Sequence, residues 1–143
     1  MMLCDHAQVA DGKLYISGGG WSVTGPVPSP SAIAIKIDVP WDRTNDQIHL
    51  LLRLLGQDGE PVMQDGPIGP QPIQLEADFE VGRPPGLPKG TPIDIPLAMN
   101  MGPLPLSPGQ RYTWELQIDN QTEDDWHLAF TTRAGPAAPF GNS

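Results

Sequence analysis

The chain has 143 residues, and its 8 Lys+Arg stand against 17 Asp+Glu, for a formal net charge of −9. One domain is the natural count at this length, and such a chain buries roughly 68–70% of its unfolded surface without staples. The acidic balance argues against general nucleic-acid binding and against anionic lipid surfaces, and the single cysteine excludes an intramolecular disulfide.

A lone cysteine agrees with a reducing compartment, and no basic segment followed by an apolar stretch opens the sequence. The longest apolar cluster, from Ile48 to Leu55, is interrupted by His49 and Arg53, so nothing approaches a membrane span. The expectation is a cytoplasmic protein with no membrane insertion and no nucleic-acid partner. The 16 Gly and 18 Pro fall between apolar-periodic runs. This punctuation is that of an all-β domain with many turns, and it leaves almost no room for long helices.

In chain order, Leu3 to Val9 reads as a strand and Asp11-Gly12 as a hairpin turn. Leu14 to Ser17 returns and ends at Gly18-Gly19-Gly20-Trp21, where the glycines mark a bulge or a close backbone approach. Gly25 to Pro30 is a Pro-rich loop. Ser31 to Val39 alternates, with Ile33, Ile35, Ile37 and Val39 on one side. Pro40 to Asp46 is a polar connection. Gln47 to Leu55 is helical by leucine propensity but short and closed by a Gly56–Gly59 turn, so it reads as a strand buried in places on both faces. Glu60 to Met63 is its short partner, and Asp65 to Pro72 is a loop. Ile73 to Val81 and Ile93 to Met101 are strands on either side of a long loop with four prolines.

Leu106-Ser107-Pro108-Gly109-Gln110-Arg111-Tyr112 leads into a run of strict alternation. Tyr112, Trp114, Leu116 and Ile118 point one way, and Thr113, Glu115, Gln117 and Asp119 the other. The lead-in resembles the tyrosine corner of immunoglobulin-like and fibronectin type III domains, in which a Tyr hydroxyl bonds back to nearby backbone. Trp126, Leu128 and Phe130 mark a last strand ending near Arg133. Eight or nine strands result. They suit a two-sheet antiparallel β-sandwich of immunoglobulin-like, Greek-key type over residues 1–133, followed by a small-residue tail over 134–143. A closed barrel is the structural alternative. Leu106, Pro108, Gly109, Tyr112, Trp114 and Trp126 are assigned structural roles.

Three segments in order carry a family resemblance. They are Leu3-Cys4-Asp5-x-Ala7-Gln8 with Gly12-Lys13-Leu14-x-Ile16-x-Gly18-Gly19, then Asp58-Gly59-x-Pro61-Val62, then Leu106 to Ile118. Together they resemble a family of small bacterial proteins classed as a domain of unknown function. The resemblance implies a β-sandwich with no assigned reaction and supplies no catalytic residues.

The candidate chemistry is sparse. Cys4 and His6 share a strand face, but their Cβ atoms are about 7 Å apart, too far for direct contact, so a small Cys/His hydrolase is the least favoured reading. His6, His49 and His127 lack metal-ligand spacing. Asp119, Glu123, Asp124 and Asp125 crowd one loop, and Asp42 and Asp46 another. A calcium- or ligand-dependent sandwich is therefore an alternative, with solvated turn carboxylates as the plainer account. No nucleophile elbow, phosphate loop or dinucleotide fingerprint is present. No catalytic residue, metal ligand or cofactor is assigned.

Trp21 and Trp41 lie near loop ends, where tryptophans serve as binding platforms or cap a core. The loop from Val81 to Pro92 is basic in an acidic protein. Its Arg83 and Lys89 suit an acidic partner, and Leu87 offers an apolar contact; alternatively the loop is a stiff connection between sheets. Trp21, Trp41, Arg83, Leu87 and Lys89 are thus the candidate binding residues of a non-enzymatic interaction module. Such a module would recognise a protein partner, or itself, through loops and sheet edges.

Overall fold

A computed structural model describes residues 1–135; the rest of the expected tail, 136–143, lies outside the described residues. Among the described residues, eleven strands run in chain order: β1 (Met2–Ala10), β2 (Lys13–Gly19), β3 (Val23–Thr24), β4 (Ser31–Val39), β5 (Gln47–Gly56), β6 (Met63–Gly66), β7 (Gly69–Pro72), β8 (Gln74–Glu80), β9 (Ile93–Met101), β10 (Arg111–Ile118) and β11 (His127–Thr132). Two single 3-10 turns, Trp41–Arg43 and Asp124–Trp126, precede β5 and β11. One sheet has the order β2-β1-β4-β9 and the other β3-β11-β10-β5-β8, while β6 and β7 form a separate hairpin. The fold is all-β, a β-sandwich, as its alternating runs predict.

Local chemistry sets the turns. Asp11 and Gly12 both hold positive φ, 51° and 70°, the geometry of a two-residue hairpin between β1 and β2. Asp119 and Asn120 repeat it, at 51° and 66°, after β10. At the corner before β10, the Ser107 N–H donates to the Tyr112 hydroxyl at 2.8 Å, and Gly109 supplies a φ of 72°. Tyr112 stacks on Phe130 with centroids 5.6 Å apart. Trp114, Leu116, Leu50, Leu52, Leu54, Ile33, Ile35 and Leu3 close the main core between the sheets.

The strand count exceeds eight or nine because three short strands carry no alternation to read. Val23–Thr24 pairs in parallel with Thr131–Thr132. The segment expected as a loop, Asp65 to Pro72, forms most of the β6–β7 hairpin, in which two of the eight paired positions are prolines. The short partner expected at Glu60–Met63 meets β5 over Glu60 to Val62, through Gly56 N–H to the Glu60 carbonyl at 2.8 Å, a bridge from Pro61 to Leu55 and Val62 N–H to the Leu54 carbonyl at 2.9 Å, before Met63 enters that hairpin. Trp126 precedes the last strand instead of lying in it. The Gly18–Gly20 segment is the close approach, not a bulge: the β1–β2 register runs unshifted from Ala10–Lys13 to Cys4–Gly19, and a Cβ at Gly19 would meet Ile16 and Met2 at 2.8 Å.

The pairing of β1 with β4 positions the site. Both strands have nine residues, yet only Met2–Cys4 pair with Ala32–Ala34. The rest of β1 runs on past Ser31, where β4 begins, and stays paired with β2. There the Asn100 side chain, from β9, takes the place of a strand: its Oδ1 accepts from the Ala7 N–H at 3.1 Å, and its Nδ2 donates to the Ala7 carbonyl at 2.7 Å.

Candidate functional site

The short β1–β4 overlap leaves the other half of β4 without a strand on one side. Ile35 to Val39 pair with β9 across one edge and with no strand among the described residues across the other. A groove of about 480 Å³ opens beside this edge. Its walls are Ile35, Ile37 and Val39 from one sheet, and Ile48, Leu116 and Ile118 from the other. Trp126 stands at the far side, placed by the 3-10 turn whose Trp126 N–H bonds the Glu123 carbonyl at 3.0 Å. Alternation explains the lining: the inward residues of β4 and β10 face one another where a further strand of the first sheet would run. An edge with free N–H and C=O groups above an apolar floor has the two elements needed to receive an extended segment.

Charged groups border the groove. Lys36 lies 3.5 Å from both Asp38 and Asp94. Arg43 Nη2 donates to Asp119 at 2.6 Å, and its Nε lies 3.3 Å from Asp46. Asp125, exposed beside Trp126, has no ion pair among the described residues.

The residues expected to bind fall elsewhere. Trp21 is half-buried and meets Phe130 edge-on at 6.2 Å, so it packs against the core at the opposite end of β11. Its indole N–H is enclosed without an acceptor, beside a cavity of about 30 Å³, the size of a single-water site. Trp41 and Arg83 are brought together: the guanidinium stacks 4.3 Å from the ring centroid, donates to the Trp41 carbonyl at 2.8 Å, and its Nε reaches the Thr44 hydroxyl at 2.5 Å. This contact clips the β8–β9 loop to the β4–β5 connection. Leu87 and Lys89 are both exposed on that loop, which crosses between the two sheets. The groove residues Ile37, Ile118 and Trp126 read in the sequence only as inward or structural positions.

A family model matches residues 1–131, nearly the whole chain. The chain belongs to DUF6941, a family of unknown function. No curated protein and no solved structure matches it.

Three further constellations of the DUF6941 chain bear on chemistry. Cys4 is buried, with its thiol directed at the Ala32 carbonyl at 3.5 Å. Burial, assisted by the Asp5 charge, pushes its pKa up, opposite to what a thiolate nucleophile needs. His6 beside it is exposed. The acidic loops meet through Arg43, which engages Asp119 and Asp46, and Asp119 also accepts from the His49 N–H at 2.9 Å. No group of three or more His, Cys, Asp or Glu among the described residues could hold a metal.

The outer face of the five-stranded sheet of the DUF6941 chain carries a carboxylate that alternation alone places in water. Glu115 is only 8% exposed. Arg53 Nε and Gln117 Nε2 each donate to its Oε1 at 2.7 Å, and His127 Nε2 lies 3.4 Å from its Oε2. Burial alone would raise the Glu115 pKa, but these hydrogen bonds outweigh it and hold the carboxyl below its ordinary range. On the same face His49 Nδ1 lies 2.7 Å from Asp78, with Nε2 3.4 Å from Glu76. Its pKa is raised, chiefly by the Asp78 hydrogen bond. Arg53 and Gln117 share one oxygen of Glu115, while Glu115 and His127 also line a surface pocket of about 330 Å³ with Arg111, Tyr112 and Thr113.

Proposed function

We propose that this protein is a non-enzymatic interaction module that recognises a protein partner through an open sheet edge. The observation that carries the reading is the unpaired half of β4 above the apolar groove. Main-chain hydrogen bonds along such an edge supply affinity, and the groove selects side chains. Strand addition of this kind needs no catalytic group, which agrees with the burial and raised thiol pKa of Cys4.

We read the sandwich as immunoglobulin-like. Three sheet neighbours, β1-β4-β9, face four, β8-β5-β10-β11, with the tyrosine corner entering β10, and this arrangement supports that reading. A cytoplasmic, bacterial setting belongs to the same proposal and rests on the free buried Cys4 and the sequence resemblance. No helix among the described residues is long and apolar enough to cross a membrane. The calcium alternative has less support, because Arg43 already occupies Asp119 and Asp46.

The test compares pull-downs from native lysate with the wild type and with Trp126→Ala, both checked for intact folding by circular dichroism. A protein retained by the wild type and lost by the variant supports the groove. Equal capture by both, or reproducible capture by neither, counts against it.

A further inference from the structure

Resting on the strand-acceptor reading, we infer that the occupant of the β4 groove is an extended partner segment that alternates apolar and basic residues and runs antiparallel to β4, in line with β1.

Direction follows from the ladder already present. β1 pairs antiparallel with β4 up to Met2–Ala34, and Met1 borders the groove. A segment entering beyond Met1 continues that ladder along Ile35 to Val39, roughly 16 Å of edge at the rise of a strand. Continuing an antiparallel pair keeps the local twist and the more stable hydrogen-bond pattern.

Alternation follows from the two faces of β4. Residues placed beside Ile35, Ile37 and Val39 point between the sheets, toward Leu116, Ile118 and Trp126. Those beside Lys36 and Asp38 point to solvent. The inward positions therefore take apolar side chains, and the outward positions lie beside Lys36 and Asp38, with Asp94 next to them.

The rim sets the sign of the charge. Each of its two basic side chains is already shared between two carboxylates, Lys36 between Asp38 and Asp94, and Arg43 between Asp119 and Asp46. Asp125 adds a carboxylate with no basic partner among the described residues. Around the rim, carboxylates outnumber basic side chains. The whole chain carries −9, so long-range attraction also favours a basic segment and disfavours a second copy of this chain.

The experiment uses the full chain and three short, end-blocked synthetic peptides. One alternates valine with lysine, one alternates valine with glutamate, and one has the valine–lysine composition with its valines in a single block. Binding is followed by amide hydrogen exchange and by salt titration. The expected result is slowed exchange at Lys36 to Val39 with the alternating valine–lysine peptide alone, weakening as salt rises. Asp125→Lys, a change at an exposed position, is expected to reduce that affinity several-fold, and Trp126→Ala to abolish the protection. Protection by the glutamate peptide equal to or greater than that by the lysine peptide overturns the basic occupant and leaves the strand acceptor standing. Equal protection by the blocked-valine peptide overturns the alternation. If no peptide protects these amides, the strand acceptor itself fails. Protection that rises with protein concentration, without peptide, makes the occupant a second copy and overturns the inference.

Discussion

The Ser107 N–H meets the Tyr112 hydroxyl within a turn also tied by Thr132, whose hydroxyl donates to the Ser107 carbonyl at 2.7 Å. Tyr112→Phe keeps the Phe130 stacking and removes only the acceptor. Equilibrium urea unfolding is expected to show a loss of about 0.5–1.5 kcal/mol, the net value of one hydrogen bond. A different balance governs Glu115, which is buried and charged. Arg53→Met leaves it without its main partner and is expected to cost about 1–3 kcal/mol at neutral pH. Pairing it with Glu115→Leu should recover most of that loss, because an apolar pair leaves no charge unpartnered. The Glu115 contribution is present above about pH 4.5 and is lost as pH falls through its lowered folded value. His49 has the opposite sign. Its folded pKa lies above the ordinary 6.5, so its contribution is complete below that pH and is lost as pH rises through the raised value. The urea-midpoint gap between wild type and His49→Gln should therefore be widest in mildly acid buffer and close on the alkaline side.

At the level of single elements, Asn100 shows how β1 tolerates leaving its neighbour. Its carboxamide satisfies both the N–H and the C=O of Ala7, which lies beyond the first residue of β4. Asn100→Ala is expected to speed hydrogen exchange of the Ala7 amide and to cost about 1–3 kcal/mol, the desolvation of groups left unpaired. Period-two runs made the long strands legible: Ser31–Val39 and Ile93–Met101 have the limits their alternation predicts. The tyrosine corner was legible because its turn chemistry is local. The groove was not, because inward residues look alike whether or not a strand covers them. Ile37 and Ile118 become floor only through the three-pair overlap of β1 and β4, and no local pattern encodes that register. Trp41 and Arg83 were legible as unusual residues, but their mutual contact spans two loops and leaves no mark in either one.

Across the whole molecule, charge and topology act together. With −9 spread over 143 residues, any basic partner should associate faster at low ionic strength, and stopped-flow rates measured across a salt series check this. Topology constrains assembly in another way. The chain leaves the four-stranded sheet after β2, lends Val23 and Thr24 to the far edge of the opposite sheet beside β11, and returns to β4. Thr131 N–H bonds the Ser22 carbonyl and Arg133 N–H the Thr24 carbonyl, both at 2.9 Å. This clasp joins the first part of the sequence to β11. During synthesis, the leucine-rich β5 therefore emerges long before β10, its ladder partner, arrives. Closure is a late, high-contact-order event, so the apolar face of β5 is expected to stay open to proteolysis until β10 has emerged, which limited protease treatment of stalled nascent chains checks.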